Sequence, residues 1–557
     1  MRIGATCAQP YVHWRPSDPL YAARRRICRA ATRYSGEDVT DLKTTLSDIL
    51  GAGGLNDEVS ALSDAAHDIY RDHATFHLIA MPASTDALVA CVRACATSRT
   101  PIYLRGGGTS YTSAYVPLFQ GGVLIDTEKL NTILDIDLVA MTVTVEPGVT
   151  WAQLHTALTP LGVRTPFWGT YSGLTASIGG SLSQHAISLG TALWETSAQS
   201  VISVTIVDGQ GKIFSTNRAN QAFFRTFGPD VTGLFLGDCG TLGVKTEITL
   251  KLLKTPSHVA AVSFAFPDFV LMRKACQSVA QRALASDILG LDPEIQKGFL
   301  GAMTTKSVVA ASRAIFSTTR NPISAAIALF RAMFATRDYS RNGDFVAHFT
   351  VEGWSQGEVN AKATVIRRLV GGSGAEISNA APLALRGNPF LPLTPVAPLK
   401  GGRWLPTHGV FSYRDIDAFH QAFQEWTRAN QPAFDAIGLT MTRMFVPIGV
   451  QGFVYEPTFY WPDSTTPAQS RLAPADHLAR VRKFDANETA RAQIFAWRAQ
   501  LVALMAQHGA QHFQIGKYYP YRTHQSAGTL SILDSLKANL DPDCILNPGG
   551  LGFTAAA

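Results

Sequence analysis

Three short runs of small residues carry the most explicit chemistry in this sequence. The first, Arg105-Gly106-Gly107-Gly108-Thr109-Ser110, follows directly on the apolar, strand-like PIYL. Consecutive glycines let bare backbone N–H groups turn toward an anion, because no Cβ bars close approach or positive φ. A phosphate is the natural occupant. The spacing is neither G-x-G-x-x-G nor the P-loop pattern, since no Lys-Ser/Thr pair follows, so a nicotinamide Rossmann site and an ATPase are both unsupported. A second patch, 172–183 with Gly179-Gly180, and a third, Gly237-Asp238-Cys239-Gly240-Thr241-Leu242-Gly243-Val244, also let backbone approach a flat ligand.

Near the C-terminus the run Gly516-Lys517-Tyr518-Tyr519-Pro520-Tyr521-Arg522-Thr523-His524 gathers groups of a different kind. A guanidinium beside a phenolic hydroxyl, Arg522 with Tyr521, can stabilise an oxyanion in a dry pocket. The plainer reading of the same pair is a surface strand with an ordinary salt bridge. His524 can serve as a base or orient a ring carbonyl, and His185, two residues past the second small-residue patch, can face a flat ring; either can equally be a satisfied buried imidazole. The aromatic set Trp404, Phe445, Phe453, Tyr455, Phe459, Tyr460 and Trp461 suits the walls of an aromatic-substrate pocket and suits a domain core just as well.

The elements that must position these residues read as follows. Residues 1–70 are polar and helix-like, an N-terminal extension packing on what comes next. From His77 the strand HLIAMP, a helix capped by Ser84, and the strand PIYL form a β-α-β unit that ends in the first glycine run. Strands and helices then mix without strict alternation as far as residue 255, so α+β is the expected class. Beyond Pro256, strands leading into amphipathic helices, as in 344–370 and 409–430, suggest an antiparallel sheet backed by helices, taken as a second domain over 256–516. The tail, 517–557, holds a helix and DPDCILNPGGLGF and returns to the first domain.

The order of RGGGTS, DTEKLN, VTVEPGVTWAQL, SIGG, VTIVDGQG and LFLGDCGTLGVKTEITLKL resembles the FAD-binding domain of the vanillyl-alcohol oxidase and para-cresol methylhydroxylase superfamily. The match spans 76–253, and LKANLDPDCILNPG is similar to that superfamily's C-terminal segment. The resemblance implies a two-subdomain FAD-binding domain over 71–255, with the central region as an α+β cap over the flavin. It places Arg105, Gly106, Gly107, Gly108, Thr109 and Ser110 on the pyrophosphate. Ser177, Gly179, Gly180, Gly240, Thr241, Gly243, Val244 and Asn547 line the cofactor.

Tyr-Arg-Thr-His before the tail resembles the 4-phenol-oxidising branch, which implies that Tyr521 and Arg522 hold a phenolate while hydride passes to flavin, with His524 beside them. The expected activity is oxidation of a 4-hydroxylated aromatic alcohol or alkylphenol, the flavin being reoxidised by oxygen or another acceptor. An FAD-dependent 2-hydroxy-acid dehydrogenase and a non-redox alkyl-transferring flavoenzyme of the same fold are the alternatives. Members with flavin tethered near the pyrophosphate loop carry histidine where Thr109 stands, and FVYEPTFYWPD holds no histidine, so noncovalent FAD is expected. The clamp tyrosines expected around 189–194 are missing, and Tyr111, Tyr115 or Tyr171 can substitute.

Composition agrees with an enzyme of this kind. The chain has 557 residues, 46% hydrophobic and 16% charged, enough for two or more compact domains with much surface covered by cofactor, partner domain or subunit. The net charge of +6 is mild, and no basic stripe marks a nucleic-acid partner. Seven scattered cysteines without C-x-x-C or zinc-ligand spacing read as a reduced, cytoplasmic chain with no metal site, Cys91 and Cys95 being core thiols on one helix face. No run reaches the ~20 apolar residues of a membrane span. The apolar, arginine-bearing stretch 307–337, broken at Pro322, reads either as helices packed on the fold or as a membrane-surface or homo-oligomer contact.

Overall fold

The computed structural model describes residues 36–70, 74–118, 120–217, 222–295, 312–315 and 345–553. The stretch 307–337 lies outside these residues apart from 312–315, and so does most of the N-terminal extension.

The first glycine run leaves a small α/β subdomain. Strands Leu78–Ala80, Val123–Asp126 and Ile102–Arg105 pair in parallel in that spatial order, and Leu55–Asn56 adds an antiparallel edge. Helix Thr85–Thr97 makes the crossover between parallel strands, started by Ser84, whose Oγ accepts from the Ala87 N–H at 3.1 Å. It buries Leu88, Val89, Cys91, Val92 and Cys95, and helix Gly36–Leu50 covers it with Leu42 and Leu46. Residues 36–70 thus complete this subdomain rather than trail from it. Burial pushes the Cys91 thiol up to about 12, which makes it a core group and not a nucleophile.

A second subdomain is a five-stranded antiparallel sheet in the order Ile133–Asp137, Thr142–Val145, Val244–Lys251, Val201–Val207, Ile213–Ser215. Helix Trp151–Leu158, entered through a Thr150/Gln153 capping box, packs Trp151, Leu154 and Leu158 into its core. The tail closes the pair of subdomains: the Ile102 N–H donates to Ile545 O and the Asn547 N–H to Ile102 O, both at 2.7 Å.

The rest is the cap. Seven strands lie in the order Ala375–Ile377, His258–Phe266, Phe345–Gly353, Asp287–Leu291, Thr440–Ile448, Gly452–Trp461, Arg403–Pro406, every pair antiparallel, with Gly409–Ser412 also on Gly452–Trp461. Helices Phe269–Ala280, Gln356–Val370, Ile416–Ala436 and Glu488–Gln507 bury their apolar residues together with those strands in one core. The fold is therefore α+β, two FAD-type subdomains and an α+β cap. A buried network joins cap to base: Arg164 pairs with Glu352 at 2.6 Å, and Arg386 pairs with Glu352 while lying 4.2 Å over the Trp168 ring.

The cap strands decide which residues can meet a ligand. Successive strand side chains alternate faces, so Phe445, Phe453, Tyr455, Phe459 and Trp461 turn to the helix-covered core. Met444, Glu456 and Tyr460 turn the other way, toward the base. The aromatic set of the sequence is thereby split: five members are core, and Trp404 and Tyr460, paired across strands, belong to the open face.

Candidate functional site

The strand Ile102–Arg105 delivers the chain into the glycine run, and Arg105 holds the strand end by donating from Nε to Asp126 Oδ2 at 2.7 Å. Among the described residues, the backbone N–H groups of Gly106, Gly107, Gly108, Thr109 and Ser110 donate to no protein acceptor. Five consecutive free donors need a partner when covered, and an anion is the partner that satisfies them together. The glycines are also required by packing. A Cβ on Gly106 would overlap Ser177 Oγ, and one on Gly107 would overlap the Thr175 carbonyl, so the loop lies directly on the second small-residue segment. Gly108 takes φ +63°, the left-handed turn that closes the loop.

Ser177 caps the short helix Ile178–Ser183 through its Oγ, which accepts from the Gly180 N–H at 3.3 Å. The third segment is braced from beneath by the buried Lys245–Asp238 pair at 2.7 Å, and the Thr241 hydroxyl donates to Asp238 O at 2.7 Å. Asn547 knots these pieces: its Nδ2 donates to Ala114 O at 3.0 Å and to Cys239 O at 2.6 Å, and its Oδ1 accepts from Lys517 Nζ at 2.5 Å. The three segments that the sequence singles out are contiguous in space. Free N–H donors on a glycine loop without Cβ atoms fit a phosphate-bearing cofactor.

Directly after this cradle the chain enters a buried polar cluster under the cap. The Tyr111 hydroxyl points at Glu456 Oε2, 3.5 Å away, and its ring packs edge-on to Trp404 at 5.6 Å. His408 lies within 4.0 Å of the same carboxylate. Its N–H donates to the Tyr519 hydroxyl at 2.9 Å and its Nε2–H to Phe513 O at 2.6 Å, which leaves Nδ1 as an acceptor facing that hydroxyl at 3.5 Å. His512 stacks on the Tyr519 ring at 4.0 Å. Arg498, fully buried, donates from Nη2 to Tyr111 O at 3.1 Å and from Nε to Thr407 Oγ1 at 3.2 Å, with Tyr518 stacked 3.6 Å from its Cζ.

Burial sets the charges here. It raises Glu456 to about 7, against the lowering effect of the Tyr111 hydroxyl, and raises Tyr519 to about 12. It pushes His408 well below the ordinary imidazole value, so that ring is neutral. The cluster thus holds one permanent cation, neutral phenols and a carboxyl poised near neutrality.

Comparisons with known proteins agree with the cradle. A family model described as an FAD binding domain matches residues 76–217. Residues 76–217 thus carry an FAD-binding domain, and the fold is the one shared by the solved flavoproteins of the para-cresol methylhydroxylase type. FAD is its cofactor. Para-cresol methylhydroxylase with substrate bound superposes with TM-score 0.69 at 14% identity, covering 94% of this chain and 98% of that one. An alkyldihydroxyacetonephosphate synthase gives 0.65 at 16% identity, with 93% and 85% covered.

By sequence, an uncharacterized FAD-linked oxidoreductase of Mycobacterium tuberculosis is 28% identical over 45% of this chain and 54% of its own length. A mitochondrial D-lactate dehydrogenase (cytochrome) of Arabidopsis thaliana is 32% identical over 34% and 32%. The chain spans about half the length of the first curated relatives it matches. No helix among the described residues is long and apolar enough to cross a membrane, and none of their His, Cys, Asp and Glu groups of three or more is placed to hold a metal.

Within this flavoprotein, the cradle residues Arg105 to Ser110, Ser177, Gly179, Gly180, Gly240, Thr241, Gly243 and Val244 come together, whereas two of the expected cofactor contacts already have protein partners. Arg105 is paired with Asp126, and every polar atom of the Asn547 amide is taken, so both shape the cradle. The Tyr521-Arg522-His524 trio sits elsewhere than expected. It forms an outer turn in which His524 is exposed and Arg522 pairs with the exposed Asp534 at 2.7 Å. The reason is local: the helix that begins at Ala527 follows within three residues and presents Asp534 to the guanidinium. His185 is half-buried with φ +51° against Gly237, its ring kept neutral by desolvation, which lowers it to about 4.

The buried cluster itself gathers Tyr111, Tyr519 and Arg498, of which the sequence offers Tyr111 alone as a substitute clamp tyrosine. Arg498 and Glu456 each had a signal. One is a lone arginine in the apolar half of ETARAQIFAWRAQLVALMAQ, the other a lone carboxylate in the strand FVYEPTFYW.

Proposed function

We propose that the chain is an FAD-dependent oxidoreductase acting on an alcohol or phenol, and that its substrate hydroxyl docks in the Tyr111–Tyr519–Arg498 cluster beneath the cap. The observation that carries this reading is the meeting of a buried cation, two phenolic hydroxyls and a half-titrated carboxyl next to the cradle. Bound FAD supplies a two-electron acceptor for hydride from the carbon bearing or adjoining the hydroxyl. The residues do the rest. The Tyr hydroxyls orient the substrate oxygen, Arg498 favours negative charge as that oxygen loses its proton, and the cap excludes water, which strengthens both effects.

Trp404 and Tyr460 on the open cap face favour an aromatic substrate, a 4-hydroxylated benzylic alcohol or alkylphenol. Oxygen or another electron acceptor then reoxidises the flavin. Noncovalent attachment is part of the reading: Thr109 offers no imidazole, and the Tyr455 hydroxyl is held by His420 Nδ1 at 3.0 Å on the core side of the sheet. Denaturation should release free FAD into the supernatant.

A second reading, oxidation of a 2-hydroxy acid, is favoured by the resemblance to D-lactate dehydrogenase and to the glycolate oxidase subunit of Bacillus subtilis, 29% identical over 39% of the chain. Anaerobic addition of 4-hydroxybenzyl alcohol, then of D-lactate, while the flavin spectrum is followed separates the two. Bleaching by the phenol upholds the first reading, and bleaching only by the acid replaces it with the second.

A further inference from the structure

We propose that Glu456 is the base that takes the proton from the substrate hydroxyl, with His408 and Tyr111 as the residues that position it. The proposal rests on the reading of the buried cluster as the substrate site and adds what that reading leaves open, the destination of the proton.

Glu456 stands on the strand Gly452–Trp461 with its side chain on the face turned to the base, opposite uncharged Met444 on the neighbouring strand. Its side chain is 10% exposed, yet among the described residues its polar neighbours are the Tyr111 hydroxyl at 3.5 Å and the neutral His408 ring at 4.0 Å. A buried carboxyl normally has a cation or several N–H donors. This one has neither, and its surroundings account for the difference. From the loop after the glycine run comes Tyr111, from the turn before Gly409–Ser412 comes His408, from the C-terminal segment Tyr519, and from its own strand Tyr460. Arg443 on the adjacent strand is turned to the other face and paired with Asp292 at 2.8 Å. Arg498 reaches the Tyr111 carbonyl and not the carboxylate. The group is thereby left free to exchange a proton, and desolvation brings its titration to about 7.

Two features aim it. The His408 Nε2–H is committed to Phe513 O, which fixes the tautomer and keeps the ring uncharged beside the carboxyl. The Tyr111 hydroxyl donates to one carboxylate oxygen and leaves the other for a ligand. In the reaction the substrate O–H bond breaks and its proton passes to Glu456. The oxygen's electron pair forms the carbonyl, or the quinone methide of a phenol, and the hydride from carbon goes to the two-electron acceptor FAD. Atoms and charge balance with Glu456 neutral at the end.

The test compares wild type with Glu456→Gln and Tyr111→Phe, all loaded with FAD and matched for flavin content and circular dichroism. Infrared spectroscopy reads the carboxylic acid C=O band directly, with no turnover. We expect a band in the wild type that disappears on titration through about pH 7 and is absent from E456Q. Tyr111→Phe should move the same titration upward, because the lost hydroxyl stabilised the charged form. Stopped-flow flavin reduction in the wild type should rise about tenfold per pH unit below the midpoint and level above it, whereas E456Q should be slowed by about 10²-fold or more with no such rise. Reduction in E456Q at the wild-type rate, or with the wild-type pH profile, overturns the base assignment and leaves the reading of the site intact. A band that does not titrate overturns it too. Wild-type flavin that no alcohol, phenol or hydroxy acid reduces overturns the reading of the site, and the assignment with it.

Discussion

The glycine cradle and the cluster under the cap recognise their ligands by opposite means. The cradle offers backbone: five free N–H groups on a loop whose three glycines carry no side chain, lying close on the Thr175–Ser177 segment. The cluster offers side chains, contributed by the loop after the first parallel strands, two cap strands, a cap helix and the C-terminal segment. Backbone donors suit a ligand that is always the same, because they cannot be altered without changing the chain path. Side chains on alternating strand positions suit a ligand that differs between relatives, since Glu456 or Trp404 can be exchanged without disturbing the core behind them. One fold can thus serve relatives named for phenols, for hydroxy acids and for alkyl transfer.

The sharpest way to break the comparison is at the cradle. Gly107→Val places side-chain atoms into the Thr175 carbonyl, and the overlap costs about 1–3 kcal/mol at a site FAD must also contact. FAD affinity should fall by about 10- to 100-fold, read as lost flavin absorbance after gel filtration. An undiminished yellow protein would remove the loop from the cofactor site. The matching change in the cluster, Tyr519→Phe, should leave flavin content unchanged and slow its anaerobic reduction by about 10²-fold, as loss of one donor to a developing oxyanion does. Parallel loss of flavin would mean that the two regions are not separable.

Stability against pH sharpens the contrast further. The Glu456 carboxyl moves from an ordinary 4.5 to about 7 in the folded chain, so the folded state holds its proton more tightly. Its contribution is full below about pH 4 and is lost as pH rises to 7, on the order of 3 kcal/mol in total. Glu456→Gln should therefore raise the melting temperature at pH 8 more than at pH 5. An equal change at both would show that the carboxyl titrates normally. The smallest effect is expected from Arg522→Ala, which removes a half-exposed pair with Asp534 worth about 0–1 kcal/mol. Flavin reduction should stay within twofold of wild type, and its collapse would return the anion-holding role to the Tyr521-Arg522 pair.

The two regions also differ in how far they can be read without coordinates. RGGGTS after an apolar strand announces its use locally, since glycine spacing and the preceding strand are all that a backbone nest requires. Ser84 as a helix cap and the paired core thiols Cys91 and Cys95 are local in the same sense. Tyr-Arg-Thr-His carried a meaning of equal clarity and a different setting, because nothing in four residues states whether a turn faces the cap or the solvent. The aromatic set divided on strand phase: Tyr455 and Tyr460 are five apart, an odd offset that puts them on opposite faces.

What the sequence by itself determined is the α+β class, the flavin-type cradle and the return of the tail, since each rests on short-range patterns of spacing, capping and turn chemistry. Which side chains share the buried site was decided only by the tertiary structure. Tyr111, His408, Glu456, Arg498 and Tyr519 are drawn from five segments spread along the chain, and whether a carboxyl among them meets a cation or stays unpaired depends on strand register and on how the cap closes over the base. That closure also sets the Glu456 proton affinity, because desolvation is a property of the assembled core and not of any residue's neighbours in sequence.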